Sequence, residues 1–234
     1  MQLWLCPLIA FLCGSIPFGL IIARAKGINI RDHGSGNIGA TNVLRVVGKK
    51  YGISCLFLDA LKGFIPVVIA ISLIHFEGMK NPMMIKSLSV YARDFPMLTA
   101  QTFQVITGLC AVLGHNYSPW VGFKGGKGIA TSAGVLIALM PAAVGILIIV
   151  WLLVFLATRY VSLASIIAAV VLPMVTLWGS WFHGKIQNGT WNKPLLAFTI
   201  IIAILAVWAH RGNISRLRNG TEHRFTRKVK TNNA

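Results

Sequence analysis

Blocks of Leu, Ile, Val, Ala, Phe and Trp fill seven stretches of the chain, at 3–23, 51–75, 97–113, 129–140, 141–157, 161–179 and 194–209, with polar loops between them. A straight helix needs about 20 residues to cross the hydrocarbon of a bilayer. Several blocks are shorter, and 129–140 would extend over only about 18 Å as a helix. Two arrangements fit that block: a half-span entered from a polar re-entrant loop, or one long helix over 129–157 interrupted at Pro141. Pro17 and Pro66 are expected to kink their spans. The pattern predicts an all-α, polytopic membrane protein of about seven transmembrane helices.

Charge separates the two arrangements, because cytoplasmic loops collect Lys and Arg. With seven spans and the N-terminus outside, the inner loops hold 16 of the 22 Lys and Arg, and the outer loops hold 5. Fusing 129–157 leaves 10 inside and 11 outside. Seven spans are therefore expected, with the C-terminus and the three longest polar motifs in the cytoplasm. The first block carries its charges after the apolar run rather than before it, which reads as a retained span and not a cleaved signal.

Composition agrees: the chain is 56% hydrophobic and 12% charged, with mean hydropathy +0.72, whereas a soluble domain carries about 25% charged residues. One domain over 1–234 is expected, its basic end at 224–234 mobile. A net charge of +17, with only Asp32, Asp59, Glu77, Asp94 and Glu222 as acids, suits membrane lipids and an anionic substrate. Nucleic acid is not expected as a partner, since the cations are scattered over loops. Cys6, Cys13, Cys55 and Cys110 lie in apolar stretches without paired spacing, so no disulfide, no metal site and no cofactor are expected. The tryptophans fall mostly near span ends, as an interfacial belt does.

Three loops carry the chemistry. In 35–45 (SGNIGATNVLR), Gly36 and Gly39 permit close backbone approach, Ser35, Asn37, Thr41 and Asn42 offer polar side chains, and Arg45 offers a planar fork for phosphate. Thr41 is a candidate cap for a short helix reaching Arg45. In 114–132, Gly125, Gly126 and Gly128 interleave with Lys124 and Lys127 and run into a helix that opens with Thr131 and Ser132, a credible anion site. The stretch is not a P-loop, because Val121 stands where glycine is needed and Gly128 follows Lys127. His115 begins this loop. In 210–222, His210, Asn213 and Arg216 share a helical face, and Glu222 is suited to fixing an Arg or Lys. Within the spans, Asp59 and Lys62 are spaced to pair or to reach the loops.

Together these stretches resemble the bacterial membrane-integral acyl-phosphate:glycerol-3-phosphate acyltransferase family. Its patterns SGNxGATNxxR, GHxxxxxxxFKGGKG and HxxNIxRLxxGxE are matched at every fixed position over 35–45, 114–128 and 210–222, and GSIPFG and LDxxKG are present at 14–19 and 58–63. The resemblance implies a seven-helix inner-membrane enzyme with its site at the cytoplasmic surface. The implied reaction moves a fatty acyl group from acyl phosphate to the 1-hydroxyl of glycerol 3-phosphate, giving lysophosphatidic acid and inorganic phosphate. It also implies coupling to the enzyme that makes acyl phosphate, and it associates the second motif with glycerol 3-phosphate.

The chemistry fits these residues. Acyl phosphate is an activated anhydride, so the task is to hold two phosphates together while an alcohol attacks. Two unit charges 5 Å apart repel by about 3 kcal/mol at an effective dielectric constant of about 20. Arg45, Lys124, Lys127 and Arg216 are the expected cations, with Lys62 a further candidate. Ser35, Gly36, Asn37, Gly39, Thr41 and Asn42 are expected to cradle one phosphate, and Asn213 to stabilise the oxyanion. His210, His115 or a substrate phosphate oxygen could take the alcohol proton, and the substrate phosphate is favoured. The catalytic set is thus Ser35, Asn37, Arg45, His210 and Asn213. Gly125, Gly126, Gly128, Ser132 and Glu222 join the remaining motif residues in binding substrate. The alternative is a transporter for a phosphorylated metabolite, and a non-catalytic lipid-phosphate binder is a third reading.

Overall fold

The computed structural model describes residues 2–225. Helices α1 (Gln2–Ser15) and α2 (Phe18–Arg24) form one span broken at Pro17, whose ring cannot continue the helical ladder. The short α3 (Ala40–Val46) precedes α4 (Lys49–Leu73), which continues through Pro66. Next come α5 (Lys86–Ser89), α6 (Met97–Asn116), α7 (Ile129–Leu139), α8 (Pro141–Thr158), α9 (Val161–Phe182), α10 (Lys193–Ala209) and α11 (Arg211–Arg218). A two-residue parallel pair, β1 (Ile74–His75) with β2 (Arg93–Asp94), ties the ends of the segment between α4 and α6. It is the one departure from an all-α chain among the described residues.

The seven apolar blocks are all helical. Five are long and apolar enough to span a membrane, and a sixth is reached when α10 and α11, bent by 55°, count as one. The chain does break at Met140, where φ −152° and ψ 65° leave the helical region, so α7 and α8 are separate. With 11 residues, α7 extends about 16 Å and makes a half-span.

Small residues seat this half-span. A Cβ on Gly134 would collide with the Ala60 carbonyl of α4, and one on Gly63 with the Thr131 carbonyl of α7, so the two backbones touch. Val67, Ile71, Val112, Val135 and Leu136 form the core around the contact. Where α7 stops short, the segment after β1 covers it: Met79, Met83 and Met84 pack on that core, and Asn81 Nδ2 donates to the Ala138 carbonyl (3.2 Å). The exposed faces of α1, α8 and α10 carry Trp4, Leu153 and Ile204, as lipid-facing surfaces should. Of the expected basic tail, 226–234 lie outside the described residues. Phe225 is docked, its N–H on the Arg159 carbonyl (2.9 Å) and its ring edge-on to Phe155.

Candidate active site

The three motif loops meet at one end of the bundle around a cavity of about 180 Å³. The first loop is organised from within by Asn42, which is 2% exposed. Its Nδ2 donates to the carbonyls of Asn37 (2.9 Å), His33 (3.0 Å) and Ile30 (3.3 Å), and its Oδ1 accepts from Ser35 N–H (3.0 Å). Asn37 Oδ1 accepts from Gly39 N–H (2.8 Å). The amides of Ser35 and Gly39 are therefore occupied, and Gly36 N–H is held by the His33 carbonyl. Asn42 shapes the loop and has little left to offer a ligand, contrary to its expected place in the cradle. Gly39, rather than Thr41, is the N-cap of α3. Ser35, Asn37, Gly39, Thr41 and Arg45 all line the cavity.

The glycine-rich loop is anchored from beneath. Gly125 N–H donates to the Asn116 carbonyl (2.9 Å) and Gly126 N–H to the His115 carbonyl (3.1 Å), so these amides are spent on the fold and not left for phosphate. A Cβ on Gly126 would run into the His115 ring, which explains glycine there better than anion binding does. His115 is buried with Nδ1 3.7 Å from Asp59 Oδ1, and Asp59 pairs with Lys62 at 2.8 Å. Lys62 also donates to the Ile16 carbonyl at the break in the first span (2.7 Å). A buried chain of contacts thus runs from that break, through Lys62, Asp59 and His115, to the floor of the loop. Both expected roles of Asp59 and Lys62, pairing and reaching loops, are present.

Lys127 and Gly128 line the cavity, with Ile129 and Ala130 at the start of α7. The Lys127 ammonium donates to Asn213 Oδ1. Asn213 Nδ2 donates to Glu222 Oε1 (2.6 Å), which also accepts from Ser162 Oγ (2.7 Å), while Arg216 Nε donates to Glu222 Oε2 (2.8 Å). Partial burial pulls the Glu222 carboxyl upward, but these three donors outweigh it and hold its pKa below the usual value. Burial, offset in part by Glu222 and reinforced by Arg216 and Arg45, lowers the Lys127 ammonium from 10.5 to about 8. His210 stands at the N-cap position of α11, its side chain turned back to α10 with Nδ1 2.7 Å from the Ala206 carbonyl. That contact places the ring proton on Nδ1 and leaves Nε2 as an acceptor.

Not every expected residue is here. Lys124 and Arg216 face neighbouring hollows, and Ser132 faces an apolar groove. Conversely, Ser162, Ser165, Trp151 and Asp59 line the cavity and were not in the expected set. Trp151 is no belt residue: its Nε1 donates to Ser165 Oγ (3.1 Å). The signal for the serines was a pair of hydroxyls at i, i+3 in an otherwise apolar span.

The groove, about 130 Å³, runs between α7, α8 and α9 and shares Ile129, Trp151 and Ser165 with the cavity. Fold and site define a membrane-integral protein whose motif-lined cavity adjoins an apolar groove. The profile of the glycerol-3-phosphate acyltransferase family matches residues 4–220, and the chain belongs to that family. It is 44% identical over 216 residues to the glycerol-3-phosphate acyltransferase of Aquifex aeolicus, covering 92% of this chain and 95% of the relative. Against that of Geobacter sulfurreducens the identity is 40% over 218 residues, with 93% and 94% covered. The fold is similar to the crystal structure of PlsY (YgiH), an integral membrane glycerol 3-phosphate acyltransferase, in its glycerol 3-phosphate form: TM-score 0.77, 41% identity, 97% and 96% covered. The lysophosphatidic acid form of PlsY gives TM-score 0.74 at 40% identity.

Proposed function

We propose that this protein transfers a fatty acyl group from acyl phosphate to the 1-hydroxyl of sn-glycerol 3-phosphate, releasing lysophosphatidic acid and inorganic phosphate. The observation that carries this reading is the junction of cavity and groove at Ile129, Trp151 and Ser165. A polar head and an acyl tail fit there side by side, with the reacting carbonyl at the boundary. Lys127 and Arg45 supply positive charge to the phosphates, and Ser35, Asn37 and Thr41 supply hydrogen-bonding side chains. Asn213, held between Lys127 and Glu222, faces the developing oxyanion.

The alcohol oxygen attacks the carbonyl carbon, and the carbon–oxygen bond to phosphate then breaks as the tetrahedral intermediate collapses. The alcohol proton goes to a substrate phosphate oxygen. Glu222 is a poor base because three donors already hold its carboxylate. Positioning and electrostatics supply the rate. The balance of Lys and Arg supports a site on the cytoplasmic face of a bacterial inner membrane, and the family resemblance implies coupling to the enzyme that makes acyl phosphate. A transporter would need a polar path to the far face, and the core beyond Asp59 and Lys62 is instead filled by Val67, Ile71 and Val112.

The test is formation of lysophosphatidic acid and phosphate by purified protein given palmitoyl phosphate and glycerol 3-phosphate, with Arg45→Ala beside it. Turnover requiring both substrates and collapsing in the variant is expected. Folded protein that is silent with acyl phosphate, acyl-CoA and acyl carrier protein donors alike would overturn the reading.

A further inference from the structure

The groove between α7, α8 and α9 is more regular than a place for an acyl tail has to be. Each helix faces it with positions i, i+3, i+4 and i+7, counted from Ile129, Val144 and Ser165. Such a set is one stripe two turns long, about 10 Å at 1.5 Å per residue. Ile129, Trp151 and Ser165 open the groove to the cavity, so Leu136, Val144 and Leu172 mark its far end.

One turn further, the three stripes run into a floor. The next position beyond Leu136 on α7 and the one before Val144 on α8 are the same residue, Met140, at the break between the two helices. The next position beyond Leu172 on α9 is the buried Thr176. Its Oγ1 lies 3.8 Å from Met140 Sδ, and its hydroxyl donates to the Leu172 carbonyl (2.9 Å). Met140 packs on the same core as Met79, Met83 and Met84, so the floor is backed by the segment that covers the end of α7. The break thus puts a long side chain across the end of the groove, where a continuous helix would carry its stripe onward.

A membrane's own tails extend about 15 Å, half of a hydrocarbon core of about 30 Å. A tail of that length outruns the groove. Its last carbons either press on Met140 or bend out to lipid past Ile148, which lines the groove and is half exposed. Both cost more as the tail lengthens. Methionine yields by rotating, so such a floor grades chain lengths and does not impose a sharp limit.

We propose that Met140, seated on Thr176, is the floor that sets which acyl-chain lengths the protein takes from its donor. The proposal rests on the acyltransfer reading, with the donor's tail as the occupant of the groove.

The test is a competition. Unaltered protein and variants receive glycerol 3-phosphate with equal amounts of myristoyl, palmitoyl and stearoyl phosphate, and the lysophosphatidic acids formed at low conversion are quantified by mass spectrometry. The ratio of stearoyl to myristoyl product is set within one reaction, so it does not depend on how much protein folds. Met140→Ala deepens the groove and should raise that ratio about fivefold, less than the roughly 10–200-fold that a methylene is worth in a closed pocket. Thr176→Ala lowers the same floor from α9 and should raise it about twofold; it decides the matter if Met140→Ala does not fold. Ala169→Leu fills the groove between its ends and should lower the ratio. Met83→Ala removes a methionine from the same core but not from the groove, and should leave the ratio as it was. A ratio unmoved in Met140→Ala, or moved as far by Met83→Ala, overturns the proposal. Silence of the unaltered protein with every donor strikes the acyltransfer reading, whereas turnover with one ratio in all variants strikes only the floor.

Discussion

At the end of the bundle that carries the cavity, polar side chains tie together loops far apart in sequence. Arg31 holds the Lys124 carbonyl, Lys127 holds Asn213, and Ser162 holds Glu222 across 60 positions. At the other end, the segment between α4 and α6 rests on Met79, Met83 and Met84, with few directional bonds such as Gln104 to the Ile74 carbonyl (2.8 Å). Hydrogen bonds have a direction and fix atoms, whereas methionine adapts to whatever gap it meets. One end fixes the atoms around the cavity, the other covers the short α7.

Substitutions at the two ends should differ accordingly. The largest effect is expected for Lys127→Ala, a drop of about 10²–10³-fold in kcat/KM from loss of a charge at the phosphates, with little change in the unfolding midpoint. Asp59→Ala acts through the support instead. Leaving Lys62 buried without its partner should cost about 3–5 kcal/mol in reversible unfolding, and pairing the change with Lys62→Met should recover most of it. If the single change leaves stability intact, the buried chain beneath His115 is not a support.

Asn42→Ala should cost about 1–3 kcal/mol for each buried group left unpaired and raise KM for glycerol 3-phosphate with kcat less affected. A proportional fall in kcat alone would argue that Asn42 meets the transition state directly. The pH profile is a smaller effect. Lys127 is charged below its pKa of about 8 and neutral above it, so its attraction for phosphate is present at low pH and fades as pH rises through that value. The alkaline limb of kcat/KM should lie near there and move upward in Lys127→Arg. Met83→Leu, at the other end, should change stability by less than about 1.5 kcal/mol and leave turnover as it was.

Much of the architecture is legible in residue order. The gap between 140 and 141 follows from proline and from the distribution of charge, and the structure breaks there. The pairing of Asp59 with Lys62 follows from their spacing in an apolar span. What spacing hides is where backbone groups go. Gly125 and Gly126 look like phosphate ligands in one dimension, yet their amides end on carbonyls of α6, a fact set by how α6 terminates. Asn42 looks like a ligand for the same reason, and only the curl of its loop shows that its amide is already spent. Ser162 gains meaning only when the last helix bends by 55° and carries Glu222 back to it.

The groove between α7, α8 and α9 has a kinetic consequence. Ile148 lines it and is 53% exposed on the outer face of α8, so the groove borders the surface that lipid covers. In the proposed reaction glycerol 3-phosphate arrives from water, but a donor with its tail in that groove is delivered by the bilayer. The enzyme then responds to the donor's mole fraction in the membrane rather than to its amount per volume of solution. Adding inert lipid slows it, and adding buffer does not.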